Sequence, residues 1–217
     1  MAQPAAQAGL DRRARRRRET IEEILDVALE VMATEGVAAL SLAEVARRMG
    51  MRPPSLYQYF PSKGAIYDAL FGQSARRVRA AWLEAEVGLE GADPLTRLRA
   101  MQEGFCRWCM QNPVLSQLLF WRTVPAFEPS PESFASAAEL LDDMRSRLRA
   151  AVEAGQLAPE AARDEGVTLY TSLLAGVVSQ QFANEPDASY EQGRFISLNP
   201  TVLDMFIAWH APKEHTP

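Results

Sequence analysis

Four side chains with hydrogen-bonding groups crowd into five residues, Ser55, Tyr57, Gln58 and Tyr59, around the single apolar Leu56. Arg52 and the pair Pro53-Pro54 precede them and Lys63 follows. A segment with so little apolar surface is poor core material and suits reading a nucleic-acid groove. Gln58 can pair bidentately with adenine, and Arg52 with guanine or a phosphate. The hydroxyls of Ser55, Tyr57 and Tyr59, with Lys63 and the backbone N–H groups opening the next helix, suit phosphate oxygens. Pro53 and Pro54 offer no side-chain hydrogen bond, so base contacts there are expected to be apolar, as to a thymine methyl.

A second cationic feature lies upstream. Arg12, Arg13, Arg15, Arg16, Arg17 and Arg18 fall within seven residues. So dense a cluster repels itself and is expected to stay extended or frayed unless it meets a polyanion; alone, it reads as a solvated basic tail. The 217 residues carry a net charge of −5, which speaks against nucleic-acid binding when taken as a whole. Divided, residues 1–64 carry +2 and the remainder −7. The acid therefore lies away from the groove-reading segment.

The elements that position these residues follow from periodicity. Residues 1–11 are small and Pro/Gly-containing, and are expected to be disordered. Ile21, Ile24, Leu25, Ala28, Val31 and Met32 mark an amphipathic helix from Glu19 that Gly36 stops. Ser41-Leu42-Ala43-Glu44 has the form of a capping box and opens a second helix, ended by Gly50. Pro53-Pro54 suit the first turn of a short third helix to about Phe60. Ser62 caps a fourth helix running to roughly Val87. Helices two and three, parted by Gly50-Met51-Arg52, have helix-turn-helix proportions, in which the second helix enters the major groove. The remaining segments are helical and more apolar: 95–112, 114–123, 132–154 (Phe134, Leu141, Met144 and Leu148 inward), 161–182 and 200–211. The expected fold is all-α, about nine helices, with an N-terminal helix-turn-helix domain and a larger helical domain.

Residues 20–70 resemble the DNA-binding domain of the TetR/AcrR family of bacterial transcriptional regulators. The most telling stretch is Leu56-Tyr57-Gln58-Tyr59-Phe60-Pro61-Ser62-Lys63, with small residues at Ala28, Gly36, Ala46 and Gly50. The resemblance implies that Tyr57, Tyr59 and Lys63 contact the DNA backbone, and that Arg52 to Ser55 and Gln58 lie where bases are read. Ser41 is counted with the DNA-facing residues, and Arg15, Arg16, Arg17 and Arg18 as an arm reaching an adjacent minor groove or phosphates. The departure is Pro53-Pro54, in place of a more usual polar-small pair. The expected division is a flexible basic arm (1–18), a helix-turn-helix domain (19–66) and a ligand-binding and dimerisation domain (67–217). The family analogy further implies a cytoplasmic repressor, nucleoid-associated when bound, released from its operator by a small molecule.

In the second domain the last two helices are apolar around more than one face. Leu173, Val177, Val202, Phe206 and Trp209 are candidates for a four-helix contact with a second copy, and Gly166, Ala175 and Gly176 would permit close approach. A homodimer calls for a roughly palindromic operator. Phe105, Trp108, Cys109, Phe120, Trp121, Phe127, Phe134, Met144 and Tyr170 are the candidates for a pocket, mostly uncharged, suiting a hydrophobic or aromatic effector.

Other chemistries find less support. Cys106 and Cys109 form a C-x-x-C in mid-helix, which leaves thiol-based redox sensing as an alternative to a ligand. His210 and His215, near the C-terminus, are poorly placed to complete a zinc site, and no cofactor or metal is expected. An all-α enzyme lacks any nucleophile elbow, phosphate loop or dinucleotide fingerprint. DNA binding without an effector also stays open. No early apolar core or run near 20 apolar residues points to secretion or membrane spanning. Removing residues 1–18 is expected to weaken operator binding and flatten the slope of log K against log salt by several units. Titrations across a salt series check this, and an unchanged slope in the truncated protein would exclude the arm from DNA contact.

Overall fold

A computed structural model describes residues 3–212, with side chains from Asp11 onward. Met1, Ala2 and His215 lie outside the described residues. The described chain is all-α: α1 (Gln3–Glu35), α2 (Leu42–Arg48), α3 (Pro53–Tyr57), α4 (Lys63–Ala85), α5 (Pro94–Gln111), α6 (Pro113–Phe120), α7 (Pro131–Glu153), α8 (Asp164–Asn184) and α9 (Asn199–Trp209). Single 3-10 turns stand at Val37–Ala39, Pro159–Ala162 and Ile196–Leu198.

Ile24, Leu25, Ala28, Val31 and Met32 of α1 bury one face against α2 and the turn before it. Gly36 then adopts φ 93°, a left-handed conformation that stops the helix. Upstream, α1 runs unbroken through residue 18, so the arginine cluster is helical rather than a separate extended segment. Arginine is a good helix former, and Arg15 pairs with Glu19 one turn on at 3.4 Å.

The capping box expected at Ser41 does not form. Ser41 is the N-cap of α2, but its side chain makes no cap bond. Glu44 turns instead to Arg47 (2.8 and 2.7 Å) and Arg48 (2.7 Å), whose hydrogen bonds hold its carboxyl down to about 2.

The long α4 is the spine. Its N-cap hydroxyl, Ser62, accepts from the Ala65 N–H. One turn later Tyr67 donates to the Val37 carbonyl at 2.7 Å, fastening α4 to the turn after α1. Asp68 accepts from the Ser130 N–H (2.6 Å) and from the hydroxyls of Ser130 (2.8 Å) and Ser133 (3.0 Å), which fixes the start of α7. The boundary expected at residue 66 therefore falls inside one continuous helix.

On α7 the inward stripe is Leu140, Met144, Leu148 and Ala151. Phe134 and Leu141, expected inward, are 59% and 41% exposed. Taking Leu140 as the anchor of the period, rather than Leu141, brings 140, 144, 148 and 151 onto one face. Among the described residues no helix is long and apolar enough to cross a membrane.

Past the end of α4, the nearly buried Glu86 accepts hydrogen bonds from Arg97 at the start of α5 and Arg147 of α7. Burial pushes its carboxyl up, but the two guanidinium bonds outweigh that and leave it below the ordinary value. A lowered folded pKa contributes stability that is present above the ordinary carboxylate value and lost as pH falls. Glu86→Gln is expected to cost about 2 kcal/mol at pH 7, which lowers Tm by roughly 4–8 °C, discounted for the exposure of Arg97. Thermal melts of both proteins across pH 7 to 3 check this: the gap should close below about pH 4.

Candidate nucleic-acid interface and cavity

The turn between α2 and α3 is closed by backbone alone. The Met51 N–H bonds the Ala46 carbonyl (2.9 Å) and the Gly50 N–H that of Arg47 (3.2 Å), with Gly50 at φ 64°. This pair of bonds reverses the chain within three residues. Arg52 caps α3 through its backbone, its carbonyl accepting from the Ser55 N–H at 2.9 Å. Pro53 and Pro54 occupy the first two helical positions, where missing N–H groups cost nothing.

One residue anchors α3: Leu56 is fully buried, and Phe60 seals the helix from behind. Arg52, Pro53, Pro54, Tyr57 and Gln58 are exposed, as is Lys63 at the start of α4, while Ser55 and Tyr59 are half-buried. The residues expected to read a groove are thus exposed or half-buried, and none but Leu56 of this helix is buried. Ser41, half-buried at the start of α2, belongs to the bracing helix. Arg47 and Arg48 share Glu44, and Arg48 also reaches Glu35 at 3.5 Å, so much of the cationic charge of α2 is neutralised internally.

The arginine cluster is joined to this surface. Arg17 lies over the Tyr59 ring at 4.9 Å and donates to the Gln58 carbonyl at 3.4 Å. The pattern of types gave no sign of this contact, which spans 41 residues. Arg15, Arg16 and Arg18 are exposed beside it.

In the second domain α4, α5, α7 and α8 enclose a cavity of about 410 Å³, with Phe120 and Trp121 at the end of α6 forming one wall. Of the expected pocket residues, Phe105, Phe120, Trp121, Met144 and Tyr170 meet there. Cys109 is buried elsewhere in the core, and Trp108 borders a groove between α4 and α5 of about 640 Å³ that carries charges of both signs. Phe127 and Phe134 line a shallower depression with Phe71 and Leu118, beyond Trp121. Trp82, Met101, Gln102, Leu140 and Thr171 also line the cavity and are not among the expected residues. Gln102 had a signal: it occupies an inner position of the α5 stripe beside Met101, four residues after Leu98. None of the lining residues is charged.

Three of the lining residues each carry a polar atom that is packed out of reach of solvent and has no protein partner: Trp82 Nε1, Gln102 Oε1 and the Tyr170 hydroxyl. Gln102 is held in one orientation, since Nε2 donates to the Asn199 carbonyl (2.7 Å) and Oδ1 (2.8 Å).

Both cysteines are fully buried and unbonded to each other. Burial pushes the Cys109 thiol up to about 12 and Cys106 well above its ordinary value, the reverse of a reactive thiolate. His210 is a core residue, its Nδ1 3.0 Å from the Phe206 carbonyl. Among the described residues no three His, Cys, Asp or Glu side chains gather to hold a metal.

The faces of α8 and α9 divide in two. Phe206 and Val177, expected at a subunit contact, are buried within the protomer; Phe206 packs on Tyr170 with ring centroids 5.2 Å apart. Gly166 is likewise spent internally, closely approached by the carbonyls of Glu160 and Ala161. Outward lie Leu169 and Gly176 of α8 with Met205 and Trp209 of α9, Trp209 being 79% exposed, and Leu173 and Val202 beside them are half-buried against the core. A Cβ at Gly176 would meet nothing within 4 Å.

Comparison with known proteins agrees with this geometry. Residues 24–70 match the family of bacterial regulatory proteins, tetR family. Over 133 residues the chain is 29% identical to the HTH-type transcriptional repressor KstR of Mycobacterium tuberculosis, covering 61% of this chain and 60% of KstR. The match thus spans about three fifths of that relative's length. The HTH-type transcriptional regulator AcrR of Shigella flexneri is 33% identical over 81 residues, 37% of each chain. Among solved structures, a bacterial regulatory protein in the tetR family from Rhodococcus RHA1 superposes with a TM-score of 0.68 at 20% identity, covering 89% of this chain and 98% of its own.

Two substitutions separate base reading from backbone contact. Gln58→Ala is expected to cost about 1–3 kcal/mol on the preferred sequence and relax preference at one base pair, leaving the salt slope unchanged. Lys63→Ala is expected to weaken all sequences alike and reduce the salt slope by about one. Competition binding of matched and single-substituted duplexes at several salt concentrations checks both.

Proposed function

The chain belongs to the TetR/AcrR family of bacterial transcriptional regulators, and from that premise we propose that it is a repressor that binds a roughly palindromic operator as a homodimer and is released by a hydrophobic or aromatic small molecule. The observation that carries this reading is the double attachment of α4. Near its start, Tyr67 fastens the turn between α1 and α2; near its end, Trp82 forms part of the cavity wall. A molecule that moves the Trp82 end relative to α5 and α7 shifts the helix carrying Lys63 and following α3. α6 gives a second link: it packs on α1 and the turn after it, while its end supplies Phe120 and Trp121 to the cavity. A ligand that favours one placement of α4 then weakens DNA binding by its differential affinity for the two placements.

The stripe of Leu173, Val202, Met205 and Trp209 is the surface for a second copy, with Gly176 at the point of nearest backbone approach. Pairing there sets two copies of α3 on one face of a duplex, one helical turn apart, about 34–36 Å. Repression agrees with the naming of the KstR relatives as transcriptional repressors. The burial and raised pKa of both thiols favour a ligand over redox sensing.

Selection of binding sequences from a random duplex library tests the reading. The expected outcome is two half-sites related by a dyad; an isolated half-site bound with full affinity would overturn the dimeric reading. Met205→Asp with Trp209→Asp is expected to give a monomer by sedimentation and lower affinity for the dyad site by about tenfold or more.

A further inference from the structure

Very little holds α3 in place. Leu56 is its one buried side chain, Pro53 and Pro54 withhold two N–H groups, and five residues are too few for a helix to persist on its own. Its leading end is closed by the bonds from the Ser55 and Leu56 N–H groups to the Arg52 carbonyl. At its trailing end the chain leaves the helix at Gln58, whose carbonyl is among the acceptors that a helix end leaves open. The group that meets this carbonyl comes from another helix. Arg17 of α1 donates to it at 3.4 Å, and the same guanidinium lies over the Tyr59 ring at 4.9 Å.

Helix geometry singles out Arg17 from its neighbours. It precedes Ile21 by four residues and Ile24 by seven, so it continues the inward stripe of α1 one turn past its apolar part. That stripe is anchored, since Ile24 and Ala28 are fully buried. Arg15 and Arg16 stand on other faces, and Arg15 pairs with Glu19. A planar guanidinium with several N–H donors can bond the carbonyl while its face rests on the ring, whereas an ammonium has no plane to lay there. We propose that Arg17 is a positioning residue for sequence reading: it fixes the trailing end of α3, and with it Gln58 and Tyr59, whereas Arg16 acts on DNA through charge alone. This rests on the DNA-binding reading above and divides the arginine cluster by role.

The test uses the full chain, the duplex obtained by selection from a random library, and copies of that duplex with single base pairs substituted. Arg17→Ala, Arg17→Lys and Arg16→Ala are compared by competition binding at several salt concentrations, and by hydrogen exchange of the unbound proteins. Arg16→Ala is expected to weaken every duplex alike and to reduce the salt slope by about one, with base-pair preference unchanged. Arg17→Ala is expected to do this and also to lower the preference at the base pair that Gln58 reads by about threefold per half-site, the size of an exposed cation–π contact. Arg17→Lys keeps the charge, and so the slope, yet loses the same preference. In unbound Arg17→Ala the amides from Gln58 to Phe60 are expected to exchange about threefold faster, with those of α4 unchanged. A general loss of stability would weaken all duplexes equally and leave the ratio between them, so the ratio reports the placement of α3. Base-pair preference in Arg17→Ala equal to that in Arg16→Ala would overturn the positioning role and make Arg17 one more cation for phosphates. Full preference in Arg17→Lys would overturn it as well. If no duplex were preferred by the unmodified protein, the DNA-binding reading would fail and the role with it, although faster exchange would still show the contact.

Discussion

A single unbroken helix, α4, must satisfy two sets of neighbours at once. Its 23 residues span about 34 Å. At one end Ile66, Tyr67 and Leu70 are buried, and Tyr67 reaches the turn that closes the first helix. At the other, Val78 and Trp82 pack into the larger bundle, where Glu86 clasps arginines from two further helices. Between Tyr67 and Trp82 no proline interrupts the helix, and its one glycine, Gly72, is packed against Ser133 of α7. Displacement at one end is carried to the other.

The surfaces around this spine are specialised by what they leave unpaired. At the candidate interface a five-residue helix held by Leu56 leaves the flanking Arg52 and Lys63 without ion pairs among the described residues, while the adjacent α2 consumes its arginines on Glu44. In the bundle the ordinary rule that buried polar atoms find partners fails at several places, Trp82, Gln102 and Tyr170 among them. The two exceptions have opposite characters: exposed charge on one side, buried neutral polarity on the other.

Much of the local structure of the candidate interface was legible because local chemistry decides it. Gly36 and Gly50, Pro53-Pro54 and the lone Leu56 determine the turn and the short helix almost without tertiary help. Period-3.6 patterning placed the buried face of α1 downstream of Glu19 and the inner stripe of α5. What could not be read depended on contacts distant in sequence. On α7 Met144 and Leu148 face inward as expected, but Leu140 takes the place given to Leu141, because the two are equivalent until α4 and α5 choose between them. Glu44 fits a capping box by spacing, yet two arginines one turn away compete for it and win. Phe206 is as apolar as Trp209, and only the packing of Tyr170 settles which of them faces inward. Gln102 and Trp82 became recognisable only once an unfilled hydrogen bond could be seen on each.

The Asp68 clasp on Ser130 and Ser133 lies two residues beyond the point where the DNA-binding unit looks complete in sequence. With the Tyr67 bond beside it, the seam between the two units runs through adjacent residues facing opposite partners. The units are therefore not interchangeable cassettes. A recombinant that joined another DNA-binding unit at residue 66 would supply half of the seam from each parent, and would have to restore the tyrosine's carbonyl as well as the carboxylate's two serines. Inheritance of the whole helix with one of its neighbours is the exchange this architecture tolerates.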